Sequence, residues 1–134
     1  MSMTVPSPQT LGRDKRLKSR KRIAALFSQG ERLQLRLLRV HHLTDPGRTG
    51  GVKVGFGASA RVFRRAVDRN RIKRLMREAW RRQAAALEVG CRPGPAGLDV
   101  FLVFTGRELP DPADLHAQVA KAIEGLLKRH GHGV

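Results

Sequence analysis

Basic side chains dominate the chemistry that this sequence offers, and most of them are concentrated in two segments. Residues 61–82 carry ten Lys or Arg and two acidic residues, a net charge of +8. Residues 13–22 carry seven Lys or Arg and one Asp, a net charge of +6. Together they hold nearly all of the formal charge of +16 on the 134-residue chain. Segregated positive charge of this kind is typical of surfaces that bind nucleic acid, and 20 of the 27 basic residues are Arg, which favours bidentate phosphate contacts.

The segment from Arg61 to Arg82 also has the spacing of an amphipathic helix. Its apolar positions recur at i, i+3, i+4, i+7 and i+8, namely Ile72, Leu75, Met76, Ala79 and Trp80. At about 100° per residue, a second set of side chains shares one arc that faces away from these. That arc holds Asn70, Lys73, Arg74, Arg77 and Arg81, with Arg71 and Arg82 outside it. Five groups along about three turns match a stretch of polynucleotide backbone better than a single small anion.

A merely solvated basic face is the alternative interpretation of this helix. Acidic partners are too few for it, because Glu78 can pair with Arg74, Arg81 or Arg82 but not with all of them. The helix therefore repels itself unless an external anion is present. Asn70 has two open interpretations: a capping or turn residue, or an amide that binds a phosphate, a ribose or a metal-bound water.

Residues that could catalyse a reaction by themselves are not grouped in the sequence. The carboxylates are scattered, so no two-metal nuclease site is predicted. The His residues lack zinc-ligand spacing with Cys91. Gly55-x-Gly57 lies inside a predicted strand and is only a weak indication of a nucleotide-binding loop. We therefore expect no catalytic residue and no metal site in the protein itself.

Three helices are predicted to carry these residues. The first covers Ser19–Gln29, with Ser19 as its cap and Gly30 after its end. The central helix runs from about Arg65 to Leu87. The last begins after Asp111, which can cap it, with Pro112 in its first turn. Its buried stripe is predicted to be Leu115, Val119, Ala122, Ile123 and Leu126.

Extended segments alternate with these helices. Leu33–Leu43 is predicted to be extended, with a bulge or as two short strands. Val52–Ala58 alternates as a half-buried strand, and Val100–Phe104 suits a central strand covered by helices. Cys91–Gly97 is predicted to be a loop. Helix, strands, helix, strand and helix indicate an α+β or α/β sandwich with one small sheet.

The chain is expected to form one domain. Residues 1–12 are predicted to be a disordered tail, residues 13–130 a single RNA-binding domain, and residues 131–134 a C-terminal tail. No apolar run approaches the roughly 18 residues of a membrane span, and the N-terminus lacks a signal-peptide pattern. One cysteine excludes an internal disulfide. These features predict a cytoplasmic protein with no membrane partner.

The string AVDRNRIKRLMREAW at Ala66–Trp80 resembles the signature of the protein component of bacterial ribonuclease P. Its most specific part is RNRIKR at Arg69–Arg74, and the resemblance covers about residues 16–130. It implies an α+β fold, a single small sandwich of a four-stranded sheet with three helices in the order α-β-β-β-α-β-α. It also implies a left-handed βαβ crossover, against the usual right-handed rule.

The resemblance implies a function as well. The chain would be the protein subunit of ribonuclease P, a monomer with one copy per catalytic RNA. Its partners would be ribonuclease P RNA and precursor tRNA, with no small-molecule substrate. The RNA, holding Mg²⁺, would hydrolyse the bond that joins the 5′ leader to the precursor, so the enzyme is an endoribonuclease whose protein is not catalytic alone. The alternatives are a non-catalytic RNA-binding protein, such as a ribosomal protein or RNA chaperone, and a stand-alone nuclease.

The resemblance also assigns two groups of site residues. The RNA-binding group comprises Arg69, Asn70, Arg71, Lys73, Arg74 and Arg77, with Arg81, Arg61 and Arg65 from the same basic segment. The leader-cleft group comprises Phe27, Ile23, Phe56, Arg16 and Lys18. Stacking of a leader base on Phe27 would tolerate many sequences. Core packing of Phe27 beside Leu26 is the equally weighted alternative.

Three departures from the family pattern stand out. Ile23 replaces a usual aromatic residue and cannot stack a base. Ser59-Ala60-Arg61 stands where the family usually has Ser-Lys-Lys. Residues 62–65 contain no Gly and are one residue longer than usual before the helix. Phe63, within them, either supplies the missing aromatic contact or is buried, and the sequence leaves both open.

Overall fold

The computed structural model describes residues 16–47, 51–85 and 97–130, which form one sheet with helices on both faces. The elements are α1 (Arg20–Gln29), β1 (Glu31–Gln34), β2 (Leu38–Asp45), β3 (Val52–Ala58), α2 (Ala66–Gln83), β4 (Gly97–Phe104) and α3 (Pro112–His130). Their types and order confirm the predicted α+β fold. The expected tails and residues 91–96 of the predicted loop lie outside the described residues, and the limits of the domain stay predictions.

The sheet has the strand order β1-β2-β4-β3, with β4 between two neighbours. β2 pairs antiparallel with β1 and with β4, whereas β3 pairs parallel with β4. Because parallel neighbours need a crossover connection, the chain returns between β3 and β4 through α2. The left hand expected for this crossover stays a prediction.

One face of the sheet forms the hydrophobic core with α2 and α3. Val54 on β3 lies opposite Val100 on β4, and both are buried. From α2, Ile72, Met76, Ala79 and Trp80 are buried, and Leu75 is partly buried at the margin of the core. The predicted stripe of α3 is buried along its whole length: Leu115, Val119, Ala122, Ile123 and Leu126. The helical periodicity therefore predicted the core-facing sides of α2 and α3 correctly.

The helix starts follow the caps that the sequence indicates. Ser19 Oγ accepts a hydrogen bond from the Arg22 N–H at 3.2 Å, and the Asp111 carboxylate accepts one from the Asp114 N–H at 3.1 Å. α2 begins at Ala66, with Arg65 as its N-cap residue but without a side-chain cap. Among the described residues, no helix is long and apolar enough to cross a membrane.

Two strand predictions are refined by the structure. The extended segment predicted from Leu33 is two strands, β1 and β2, and the Leu35 N–H donates to the Leu38 carbonyl across their turn at 2.8 Å. β4 begins at Gly97, not at Val100 as predicted, because Leu98 continues the alternation into the core. Asp99 interrupts the apolar run in the sequence, yet its side chain is paired on the opposite face of the sheet. The polar Asp99 is therefore the reason why the apolar pattern of the sequence did not predict the first residues of this strand.

Candidate nucleic-acid interface

The two basic segments of the sequence meet at the outer edge of β3. The Leu17 N–H donates to the Val54 carbonyl at 2.9 Å, and Arg16 forms an isolated parallel bridge with Val54. This pairing holds residues 16–18 beside α2, although the two segments are far apart in the chain. Between them lies a groove of about 200 Å³, lined by Arg16, Leu17, Lys18, Val54, Gly55, Phe56, Lys73, Arg77 and Phe101. The fold thus gathers four basic side chains around aromatic ones.

Phe56 and Arg77 form one wall of this groove. The Arg77 guanidinium carbon lies 5.8 Å from the centroid of the Phe56 ring, within the range of a cation–π contact. Phe56 belongs to the face of the sheet that α2 and α3 cover, because it is paired with the buried Leu102. Of the predicted cleft residues, the structure therefore brings Phe56 together with Arg16 and Lys18.

The opposite face of the sheet carries an aromatic cluster beneath α1. The Phe27 ring lies edge-on to His41 and to Phe101, with centroid separations of 4.3 Å and 5.2 Å. The Phe101 ring spreads over β3, where a Cβ atom on Gly55 or Gly57 would come within 2.7 Å or 2.9 Å of ring carbons. The two glycines thus make room for an aromatic floor that only the structure reveals.

Phe27 is an accessible part of this cluster, and its role in leader binding stays a prediction. The side chain is 45% exposed, whereas the adjacent Leu26 is fully buried. Leu26 therefore packs into the protein interior, whereas the sequence had allowed this for both residues. Ile23, on the same helix, is half-buried and offers no ring.

His41 is absent from the residues that the sequence predicts for the cleft. It is 4% exposed, and neither ring nitrogen has a hydrogen-bond partner among the described residues. Burial, with the nearby charges of Arg39 and Arg32, lowers the pKa of His41. The neutral ring packs edge-on against Phe27 with both nitrogen atoms buried. Alternation along β2, which puts His41 on the face of Arg39, was the sequence signal that could have found it.

The outer face of α2 presents basic and polar side chains to solvent. Lys73 and Arg77 are half-buried beside the groove. The other members of this face and of the preceding loop are exposed and make no side-chain hydrogen bond or ion pair to a described residue: Arg61, Arg65, Asn70, Arg71 and Arg74. The face predicted from the helical wheel is thus open and largely free of internal partners.

Arg81 and Arg82 differ from these residues because both pair with Glu78. The Arg81 Nη2 atom lies 2.8 Å and the Arg82 Nε atom 3.3 Å from the same carboxylate oxygen of Glu78. These hydrogen bonds lower the pKa of the Glu78 carboxyl. Arg74, the third partner that the sequence allowed for Glu78, does not form an ion pair with it. Arg81 is therefore less available to RNA than the helical wheel implies.

Arg69 bonds to the protein itself. Its Nη1 atom donates to the carbonyl oxygens of Phe63 and Arg64 at 2.7 Å and 2.9 Å. The same loop is held by Ser59 Oγ, which accepts the N–H of Arg61 at 3.2 Å. Phe63 is 7% exposed and packs against Phe104 with the ring centroids 5.9 Å apart. The loop is thus tied to α2, and Phe63 belongs to the core and not to the cleft.

The carboxylates of the described residues do not fit a Mg²⁺ ion. No group of three or more His, Cys, Asp or Glu side chains in that part of the chain is placed to hold a metal. Asp45 and Asp99 both lie near the Arg22 guanidinium, at 3.8 Å and 2.7 Å. A guanidinium between two carboxylates takes the place that a metal cation would need.

Comparison with known proteins assigns the family. A sequence model of the family described as Ribonuclease P matches residues 11–130. The chain belongs to this family. It is 48% identical over 105 residues to the ribonuclease P protein component of Xylella fastidiosa (strain Temecula1), covering 78% of this chain and 67% of the relative. It is 30% identical over 122 residues to the ribonuclease P protein component of Porphyromonas gingivalis, covering 90% and 89%.

Solved structures agree at the level of the fold. The ribonuclease P protein of Thermotoga maritima superposes with a TM-score of 0.65 at 21% identity, covering 82% of this chain and 96% of that protein. The Staphylococcus aureus ribonuclease P protein gives a TM-score of 0.57 at 19% identity, covering 86% and 94%. The family resemblance of the string at Ala66–Trp80 is confirmed by the family match, and the solved structures agree with the predicted fold.

Proposed function

We propose that this chain is the protein subunit of ribonuclease P, which binds the catalytic RNA and the 5′ leader of precursor tRNA. The observation that carries the proposal is the convergence of Arg16 and Lys18 with Lys73 and Arg77 at the edge of β3. This groove joins the aromatic cluster beneath α1 to the exposed face of α2, so one polynucleotide-binding surface extends over both. Membership of the family supports a role in a ribonucleoprotein endoribonuclease of tRNA processing.

The exposed face of α2 suits the catalytic RNA. Asn70, Arg71 and Arg74 project from about two turns of a helix, and Arg61 and Arg65 extend the row into the preceding loop. Unpaired guanidinium groups in a row neutralise successive phosphates and release counterions. Because the loop is tied to α2 through Arg69, little ordering is needed when RNA binds.

The aromatic cluster suits a single-stranded leader. Single-strand sites combine a basic groove for the backbone with rings on which bases stack. Phe27 supplies an exposed ring, and Arg16 and Lys18 line the adjoining groove. Stacking tolerates every base, as the processing of many precursors requires.

The chemistry is assigned to the RNA subunit. Because the carboxylates of the described residues do not fit Mg²⁺, we assign the ion to the RNA, where it assists hydrolysis. The protein contributes by screening the repulsion between two polyanions and by holding the leader. We place it in the cytoplasm as a monomer, with one copy per catalytic RNA.

Cleavage of precursor tRNA at low Mg²⁺ tests the proposal. Protein alone, catalytic RNA alone and the two together are compared at matched ionic strength. Only the combination is expected to cleave efficiently. Cleavage by protein alone would indicate a stand-alone nuclease. A combination no faster than RNA alone would indicate a general RNA-binding protein.

A further inference from the structure

α1 is attached through a buried ion pair to the face of the sheet opposite α2 and α3. The Asp99 side chain is fully buried, and its Oδ2 atom lies 2.8 Å from Arg22 Nε and 2.7 Å from Arg22 Nη2. The guanidinium also approaches the Thr44 carbonyl at 3.4 Å and the Asp45 carboxylate at 3.8 Å. A carboxylate without access to water needs such a partner, and the planar guanidinium fixes the direction from which the partner approaches.

The second attachment of α1 is the ring contact of Phe27 with His41 and Phe101. Asp99 and Phe101 are two residues apart on β4 and face the same side, which separates them by about 6.7 Å. Arg22 and Phe27 are five residues apart on α1, a rise of about 7.5 Å. The ion pair and the ring contact thus join two different turns of α1 to the same strand.

The two attachments differ in how sharply they define geometry. Edge-on ring contacts and the packing of the buried Leu26 tolerate a range of separations and tilts, so they allow small shifts of α1 over the sheet. The charge-assisted hydrogen bonds at Asp99 are directional and short. Since Ile23 provides no ring, the aromatic contribution of α1 to the cleft depends on where Phe27 lies.

We propose that Arg22 is a positioning residue, whose ion pair with Asp99 sets the place of the Phe27 ring on which a leader base stacks. This inference rests on the proposed leader-binding function. The guanidinium is directed into the sheet, so Arg22 acts through α1 and not by touching the leader. Its effect therefore belongs to leader recognition and not to binding of the catalytic RNA by α2.

The test uses holoenzyme reconstituted from the full chain and catalytic RNA. We define the leader advantage as the affinity of the holoenzyme for leader-bearing precursor divided by its affinity for mature tRNA. Arg22→Met is expected to reduce this ratio by about fivefold or more, the lower end of the contribution of one stacked base, while affinity for catalytic RNA stays unchanged. Lys21→Met is the matched control, because it removes one exposed charge from the same helix, and it is expected to change the ratio by less than about twofold.

A double variant separates positioning from stability. In Arg22→Met with Asp99→Asn no buried carboxylate is left without its guanidinium, so the unfolding midpoint is expected to recover relative to Arg22→Met. The leader advantage is expected to stay low, because the directional contact is still absent. Recovery of the leader advantage together with the midpoint would overturn the inference, as would a normal ratio in Arg22→Met. A wild-type holoenzyme without any leader advantage would instead reject the leader-binding function on which the inference rests.

Discussion

At the scale of single residues, the cleft depends on a ring that the fold leaves exposed. The Phe27 side chain is 45% exposed, whereas its neighbour Leu26 is fully buried in the protein. Gly55 and Gly57 allow Phe101 to lie beneath it. His41 adds a polar group without a hydrogen-bond partner among the described residues. These contacts join residues from three strands and one helix.

Phe27→Ala is expected to weaken binding of leader-bearing precursor by about 1–3 kcal/mol relative to mature tRNA, because one stacking platform is lost. Affinities of the holoenzyme for both RNAs at fixed salt measure the effect. Leu109→Ala is the control, since Leu109 is a similarly exposed apolar residue, 47% accessible, between β4 and α3. Equal losses for precursor and mature tRNA would remove Phe27 from the leader site.

His42 is expected to make the stability of the protein depend on pH. It is buried on the helix-covered face, its Nδ1 atom lies 2.8 Å from His130 Nε2, and burial, followed by the charge of His130, lowers its pKa from 6.5 to about 4. Below pH 6.5 the unfolded chain therefore binds a proton that the folded chain does not. The free energy of unfolding should fall between about pH 6.5 and pH 4, by roughly 3 kcal/mol from this residue.

Urea unfolding across this pH range measures the dependence. His42→Gln is expected to reduce the slope to the part that His41 contributes, whereas His116→Gln, at an exposed position on α3, should keep the full slope. An unchanged slope in His42→Gln would exclude His42 as the source.

At the scale of elements, α2 and the loop before it act as one unit. The loop is tied to the helix by Arg69 and to the sheet by the packing of Phe63 on Phe104. A loop that departs from the family pattern is thus held by contacts of its own. Basic residues on the same helix consequently differ in their contacts: Arg69 bonds to the loop, whereas Arg74 makes no side-chain hydrogen bond or ion pair to a described residue.

Arg69→Met and Arg74→Met form a matched pair, because each removes one guanidinium from α2. Arg69→Met is expected to lower the free energy of unfolding by about 1–2 kcal/mol, since two carbonyls lose a charged donor. Arg74→Met should change it by less than about 0.5 kcal/mol but reduce the salt dependence of catalytic-RNA binding by about one phosphate contact. Chemical unfolding and RNA titrations at several salt concentrations separate the two. Similar stability losses in both variants would contradict this division.

At the scale of the whole molecule, the sheet brings two basic segments onto one surface. Arg16 and Lys18 lie at the edge of β3 beside the basic side chains of α2, and among the described residues Glu78 pairs with Arg81 and Arg82. Such a surface attracts polyanions, and repulsion between its charges lowers the stability of the compact free protein.

The free protein is therefore expected to gain stability with salt. Raising NaCl from about 0.05 M to about 0.5 M should increase the unfolding midpoint, because shorter screening lengths weaken repulsion between exposed charges. Thermal unfolding of the free chain measures this, and affinity for catalytic RNA should fall over the same range. A midpoint that falls with salt would show that attractive ion pairs outweigh the repulsion.

The sequence by itself determined the features that depend on near neighbours. Helical periodicity predicted the buried stripes of α2 and α3 and the exposed arc of Asn70 and Arg74, and the string at Arg69–Arg74 indicated the family. Tertiary structure alone decided the features that depend on residues far apart in the chain. These are the pairing of Arg22 with Asp99, the burial of Phe63 and the accessibility of Phe27. Local spacing sets which side of a helix is apolar, but only the packed sheet sets what each side chain meets.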